Sequence, residues 1–107
     1  DINAMRYISY CSYKIQKFET AQKYLSKCIE KKPIAFDFLL LGNIFWINKN
    51  KTEATNYFIS ASTETNIKDF NEMWNEQAEY LLTTGITQQE LNLTKEYVLL
   101  SINDKLI

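Results

Sequence analysis

The sequence predicts an all-α fold in which about three antiparallel helix hairpins stack into an α-solenoid. Apolar residues recur every three and four positions along nearly the whole chain, which is the spacing of one helix face. The 107 residues include only two Gly and one Pro, too few turn formers for a hairpin-rich β fold. The first two predicted helix pairs also resemble each other at one constant offset along the chain. Together these observations favour a single repeat-built domain over residues 1–107.

The first hairpin is predicted over residues 3–32. Its first helix runs from about Asn3 to Gln16, and its second begins near Phe18 and ends before Pro33, which cannot continue a helix. The apolar stripe of this pair contains Met5, Ile8, Ser12, Phe18, Ala21, Leu25 and Cys28. Large and small side chains alternate along this stripe, as close packing between two helices requires.

The second hairpin is predicted over residues 35–66, with a polar break at residues 48–50 between its helices. Its stripe contains Phe38, Leu41, Gly42, Phe45, Ala54, Phe58 and Ala61. When the two hairpins are aligned at their constant offset, Ser9 falls on Gly42, Ala21 on Ala54 and Leu25 on Phe58. Small residues thus stay with small ones, and large with large, so we expect the two pairs to cross in the same way.

The third hairpin is predicted over residues 68–103. Its first helix carries an apolar stripe of Phe70, Met73, Trp74, Gln77 and Leu81 and an outer face of Asp69, Glu72, Glu76 and Glu79. We interpret the acidic face as solvated, because carboxylates spaced along a helix rarely converge on one cation. Gly85 suits the left-handed position after a helix end. The Thr87–Glu90 segment has a capping-box pattern, so the last helix should run from Gln88 to about Asn103.

These residues resemble the tetratricopeptide repeat (TPR) family. The second unit reads Phe38-x2-Leu41-Gly42-x2-Phe45 and then Ala54-x3-Phe58-x2-Ala61, which is similar to the family pattern with aromatic exchanges. The first unit matches the family pattern less well. The third unit shares with the family only its two helices joined by a turn. The tail also resembles the C-terminal ends of some longer bacterial multi-TPR proteins of unassigned role, through the pattern Tyr80-Leu81-Leu82-x2-Gly85-Ile86-x4-Leu91-x-Leu93. This resemblance implies that the chain is the C-terminal part of a longer array.

The resemblance implies a concave groove lined by the first helix of each hairpin. Mapped onto this sequence, the groove holds Arg6, Tyr10, Tyr13, Lys14, Phe36, Leu39, Asn43 and Trp46. An aromatic groove of this kind suits an apolar peptide or a partner helix. The alternative for Tyr10, Tyr13 and Phe36 is internal packing, and packing against the third hairpin is favoured for Trp46 and Ile47. Some TPR domains clamp a C-terminal carboxylate with Lys and Asn residues, and Asn43 matches one such position while Arg6 could replace a Lys. This clamp is disfavoured, because Tyr10 stands where it expects another Asn.

The last predicted helix is too apolar for a free solenoid end. Leu91, Val98 and Ile102 lie on one side, whereas Leu93, Tyr97 and Leu100 lie a quarter to a third of a turn away. A terminal helix should present a polar outer face. Leu93, Tyr97 and Leu100 are therefore a candidate interface with another subunit or with another part of a longer chain, and the alternative is burial within a short bundle.

Composition narrows the function classes. The chain has no His and shows no phosphate-binding loop or nucleophile–base pair, so we expect neither catalysis nor a metal or cofactor. Its net charge is −1 and its Lys residues are dispersed, so the sequence shows no basic patch of the kind that binds nucleic acid. No segment of the sequence is long and apolar enough to span a membrane. Cys11 and Cys28 are expected to be buried free thiols, which favours a reducing, cytoplasmic location.

The sequence thus predicts a non-catalytic protein–protein interaction module, with no cofactor, that binds a peptide or partner helix through an aromatic groove. The alternative is a structural cap or self-association element of a larger TPR protein, in which case the chain forms homo-oligomers. The sequence leaves the identity of the partner open.

Overall fold

The computed structural model describes residues 1–106, with side chains to residue 102, and contains six helices and no strand in that range. The helices are α1 (Ile2–Lys14), α2 (Phe18–Lys31), α3 (Ala35–Ile47), α4 (Lys51–Thr63), α5 (Ile67–Thr83) and α6 (Gln88–Leu106). The final residue of the predicted domain, Ile107, lies outside the described range. The predicted all-α arrangement of helix hairpins is confirmed, with α1 packed on α2 and α3 packed on α4.

Local sequence signals explain where several helices begin. The side chains of Asp1, Asn50 and Asn66 accept hydrogen bonds from the first-turn amides of α1, α4 and α5. At α6, Thr87 Oγ1 accepts from the Glu90 amide at 3.1 Å, and Glu90 Oε1 accepts from the Thr87 amide at 3.2 Å. The predicted capping box is therefore confirmed.

The two glycines occupy the positions that the sequence predicts for them. Gly85 follows the end of α5 with a φ of 101°, a conformation that L side chains rarely adopt. At Gly42, α3 passes so close to α4 that an added Cβ would lie 2.6 Å from Phe58 Cδ1 and 3.1 Å from the Ala54 carbonyl oxygen. The close crossing of α3 and α4 thus depends on the missing side chain.

Helix α3 is the centre of the fold because its residues contribute to two apolar clusters. One cluster joins α3 to the first hairpin and contains Tyr13, Ala21, Leu25, Leu40, Leu41 and Ile44. The other joins α3 and α4 to the C-terminal helices and contains Leu39, Trp46, Ala54, Phe58, Ala61, Phe70, Trp74, Leu81, Ile86, Leu91 and Val98. Since α3 is apolar on both sides, it can be buried by helices on both sides.

The two cysteines differ in their surroundings. Cys28 is buried and free, as the sequence predicts, whereas Cys11 is exposed and free. The prediction of a buried Cys11 is therefore wrong. Cys11 shares the outer side of α1 with Tyr7 and Ile8, both exposed, and the described helices do not cover that side.

Candidate functional site

A pocket of 380 Å³ opens where α1, α3 and α5 meet. It is lined by Tyr10, Tyr13, Lys14, Phe36, Leu40, Glu76, Gln77 and Tyr80. Helices α1 and α3 come from two different hairpins, and α5 closes the third side. Its volume falls at the small end of the roughly 300–1,000 Å³ typical of small-ligand sites, so it suits a side chain or small group.

Aromatic rings form most of the pocket wall. The Tyr10 and Phe36 rings meet edge to face with centroids 5.2 Å apart, and the Tyr13 and Tyr80 rings lie tilted with centroids 5.1 Å apart. Pairs at these separations stabilise one another beyond the apolar area they bury. The wall therefore joins α1 to α3 through one aromatic pair and to α5 through the other.

A buried carboxylate fixes the orientation of Tyr10 through a hydrogen bond to its hydroxyl. Asp37 is fully buried, and its Oδ1 accepts a 2.7 Å hydrogen bond from the Tyr10 hydroxyl. Its Oδ2 forms a salt bridge with Arg6 and accepts a 2.9 Å hydrogen bond from Arg6 Nε. Arg6 Nη2 also donates to the Lys32 carbonyl oxygen at 2.6 Å. Asp37 thus ties the start of α3 to α1 and holds the Tyr10 ring against Phe36.

These contacts shift the pKa values of Tyr10 and Arg6. Burial and the hydrogen bond to Asp37 raise the pKa of Tyr10, which therefore stays a neutral donor at physiological pH. Burial alone lowers the pKa of Arg6, but its hydrogen bond and charge interaction with Asp37 outweigh that effect and raise it. Arg6 therefore stays positively charged, and it lies beside the pocket and outside the lining residues.

A second hydrogen-bond chain fixes the α5 side. Asn43 Nδ2 donates to the Tyr13 hydroxyl at 3.1 Å, and that hydroxyl donates to Gln77 Oε1 at 3.3 Å. Asn43 is fully buried, and burial raises the pKa of Tyr13. Because the Gln77 oxygen accepts from Tyr13, its amide nitrogen remains the part of the side chain that can donate to a ligand.

The structure brings together four of the eight predicted groove residues, namely Tyr10, Tyr13, Lys14 and Phe36. Arg6 lies outside the wall and is bonded to Asp37 and Lys32. Leu39, Asn43 and Trp46 are buried at 0%, 0% and 5% exposure, so their predicted place on a groove surface is corrected. The C-terminal helices cover this side of α3 and turn its groove positions into core.

The buried position of Trp46 agrees with the alternative that the sequence favours. Its ring lies 6.1 Å from the Trp74 ring and 5.6 Å from the Phe58 ring, measured between centroids. Asn43 is engaged with Tyr13 inside the protein, so it does not face the pocket as a carboxylate clamp requires.

Asp37 and the α5 residues Glu76, Gln77 and Tyr80 are not among the residues that the sequence predicts for the groove. Asp37 is the only charged residue in the apolar run from Ala35 to Ile47, and a lone charge in such a run is a usable signal of a buried ion pair. Gln77 interrupts the apolar stripe of α5, which is a similar signal. Which helix those side chains meet depends on how α5 stacks, and no local pattern reports that.

A second surface lies at the C-terminal end. Leu93, Tyr97 and Leu100 are 56%, 58% and 56% exposed, while Leu91 and Val98 on the same helix are fully buried. A shallow groove of 440 Å³ runs between α4 and α6 and is lined by Lys51, Thr52, Thr55, Asn56, Leu93, Thr94 and Tyr97. On α5, the predicted solvated face of Asp69, Glu72, Glu76 and Glu79 is exposed.

No protein-family model, curated protein or solved structure matches the chain. Among the described helices, none is long and apolar enough to cross a membrane.

Proposed function

We propose that this chain is a non-catalytic protein–protein interaction module that receives an apolar side chain of a partner peptide or helix in the α1–α3–α5 pocket. The observation that carries this proposal is the aromatic wall, in which Tyr10 and Tyr13 are held by hydrogen bonds to the buried side chains of Asp37 and Asn43. Aromatic side chains offer a large contact area at a low entropic cost, and they are the usual anchors of protein interfaces.

The mechanism is preorganisation. Tyr10 and Tyr13 are held in the free protein, so little conformational entropy of the module is lost on binding. Lys14 and Glu76 are exposed at the rim with opposite charges, which favours a partner with no strong net charge around its apolar anchor. The Gln77 amide nitrogen supplies a donor for a carbonyl oxygen beside that anchor.

We also propose that the chain is a TPR-like protein. Its first two hairpins repeat one another, and TPR proteins use such helix faces for binding. This proposal assigns the protein to a bacterial multi-TPR array, in the cytoplasm, without catalytic role or cofactor. The absence of His and the buried free thiol of Cys28 support this class.

The test uses the full chain as bait against a displayed library of random peptides. We expect enrichment of peptides that carry one Leu, Phe or Trp flanked by uncharged residues. Phe36→Ala removes part of the wall without touching the Asp37 bonds, and should weaken the selected peptides by about tenfold or more, since a buried aromatic anchor contact contributes about 1–2 kcal/mol. Fluorescence anisotropy with labelled peptides gives the affinities.

The control is Ile67→Ala, which shortens a 48% exposed apolar side chain at the start of α5, outside the pocket lining. It should leave the affinities unchanged. Equal binding by the wild type and the Phe36→Ala variant, with both shown to be folded by circular dichroism, contradicts the proposed site. Tyr13→Ala is unsuitable because Tyr13 is only 5% exposed and belongs to the core.

A second candidate function is self-association through α6, as a structural element of a larger protein. The exposed Leu93, Tyr97 and Leu100 favour it, because contiguous exposed apolar side chains mark interaction surfaces. Light scattering over a range of protein concentrations tests this candidate. A dimer that is lost on Leu100→Glu supports it, and a monomer at all concentrations contradicts it.

A further inference from the structure

The first two hairpins match in helix spacing and in the turn between their helices, as well as in their pattern of large and small residues. Helix α1 begins at Ile2 and α3 at Ala35, and the same offset separates the start of α2 from the start of α4. The turns match too, because Gln16 and Lys49 both have positive φ, at 64° and 67°. In each turn the amide of the next residue, Lys17 or Asn50, donates a 2.8 Å hydrogen bond to a carbonyl in the last turn and a half of the preceding helix. A position in the first hairpin therefore has a defined structural counterpart in the second.

The outer side of α3 shows what covers such a position. Leu40, Leu41 and Ile44 are at most 1% exposed, and they cluster with Tyr13, Ala21 and Leu25 of the preceding hairpin. Helix α2 also packs directly against α3. The α1–α2 hairpin is thus the cover for this side of α3.

The counterparts of these residues on α1 have no cover. Tyr7 corresponds to Leu40, Ile8 to Leu41 and Cys11 to Ile44. Tyr7 is 72% exposed, Ile8 is 39% exposed, and Cys11 is also exposed. With Ile15, which is 63% exposed, they form an apolar surface that we call the α1 stripe.

We infer that the α1 stripe is the docking face for one further helix hairpin of the α1–α2 kind, stacked on α1 as α1–α2 is stacked on α3. The occupant is an amphipathic helix pair whose inner face presents a large aromatic, a small residue and a branched aliphatic residue, as Tyr13, Ala21 and Leu25 do. The existing interface one repeat along defines both the geometry and the chemistry of this partner. The inference is independent of the ligand proposed for the aromatic pocket.

The two contacts that Asp37 makes across the existing junction, to Arg6 and to Tyr10, cannot be repeated at the proposed interface. Asp37, which binds Arg6 across the existing junction, has Ala4 as its counterpart on α1. An incoming hairpin would therefore dock without the ion pair and the hydrogen bond that Asp37 supplies at the existing junction. Its affinity as a free peptide should be lower than that of the existing junction, so the test supplies the hairpin on the same chain.

The experiment adds a copy of residues 1–33 directly before Asp1 of the full chain, which preserves the spacing between repeats. The added copy carries Cys11→Ser, a change at an exposed position. In the unmodified chain we expect one fast-reacting thiol, Cys11, because Cys28 is fully buried. In the extended protein we expect no fast thiol, since the original Cys11 becomes as buried as Ile44, and the thermal midpoint should rise. One or more fast thiols in the extended protein overturns the inference.

Tyr7→Glu in the original α1 is the matched control. In the unmodified chain it should leave the thermal midpoint nearly unchanged, because Tyr7 is 72% exposed. In the extended protein it places a carboxylate where Leu40 is buried in the existing junction, and it should restore one fast thiol. If Cys11 stays protected in this variant, the protection has another cause and the inference fails.

A second copy of the chain is the competing occupant. If the reactivity of Cys11 in the unmodified chain falls as protein concentration rises, self-association covers the stripe and the inferred hairpin is overturned. Reactivity that is independent of concentration, together with protection in the extended protein, supports the hairpin as the occupant.

Discussion

The first two hairpins have the same helix spacing and the same inner turn, but their first helices differ in what covers them. Helix α3 is buried on both sides, by the first hairpin and by the C-terminal helices, whereas α1 is covered on one side only. Equivalent positions thus range from 1% exposed at Leu40 to 72% exposed at Tyr7. The difference teaches that the repeat sets the shape of each hairpin, whereas burial depends on which hairpins stand next to it.

The third pair departs from this pattern in a definite way. Helix α5 has 17 residues where α1 and α3 have 13, so the turn before α6 comes about one helical turn late. Helix α6 then packs mainly on α4 and less on α5. The extra length also carries Tyr80 to the pocket beside Tyr13, which a strict third repeat would not guarantee.

The largest expected effect concerns the ion pair that crosses the junction of the two repeats. Arg6→Met leaves the fully buried Asp37 with Tyr10 as its remaining partner, and should lower the free energy of unfolding by about 3 kcal/mol. Urea unfolding followed by circular dichroism measures the change. The result would show that the junction differs from a purely apolar contact.

Asp37→Ala in the Arg6→Met background provides the internal check. This change makes position 37 like Ala4 of the first repeat and removes the unpaired charge, so part of the lost stability should return. A double variant that is less stable than Arg6→Met alone would show that the carboxylate is not the source of the cost.

The next effect compares the crossing of the two helices within each hairpin. Gly42→Ser introduces the residue found at the counterpart position, Ser9, but its Cβ would clash with the Phe58 ring. Overpacking of this kind should cost about 2 kcal/mol. In the first hairpin the same crossing accommodates Ser9 because its counterpart of Phe58 is the smaller Leu25.

Phe58→Leu combined with Gly42→Ser therefore recreates the first crossing inside the second hairpin. The double variant should be more stable than the sum of the two single changes predicts, because the smaller side chain removes the clash. Thermal unfolding of all four proteins measures this coupling. Additive losses would mean that the two crossings differ in backbone geometry despite their equal helix positions.

The smallest effect is a pH dependence that Tyr13 contributes in the first repeat and that its counterpart in the second repeat does not share. Burial raises the pKa of Tyr13, so its contribution to stability is fully present below about pH 10, the unfolded-state value, and is lost as pH rises toward the folded-state value. The counterpart in the second repeat is Trp46, which does not ionise. Tyr13→Phe should reduce the loss of stability between pH 9 and pH 11 by about 1 kcal/mol.

Urea unfolding at a series of pH values measures this slope. Tyr7→Phe is the matched control, because Tyr7 is exposed and its replacement should leave the slope unchanged. An unaltered slope in the Tyr13→Phe variant would place the alkaline sensitivity elsewhere.

Much of the fold could be predicted from local patterns. The capping box at Thr87, the left-handed Gly85 and the close crossing at Gly42 all lie where the sequence indicates, because each depends on nearby chain geometry. The pocket could be predicted only in part. Tyr10 and Phe36 are among the groove residues that the family resemblance implies, whereas Gln77 reaches the site only because α5 packs against α3.

The sequence by itself determined the helical fold, the repeat of the first two hairpins and the side of each helix that is apolar, since these follow from residue spacing along one chain. Only the tertiary structure decided that Asn43 is core, that Asp37 holds Arg6 and Tyr10, and that Cys11 is exposed. The physical reason is that a side chain is buried only when a second surface packs against its own. A sequence specifies one apolar face, but the element that covers it is set by how the helices stack.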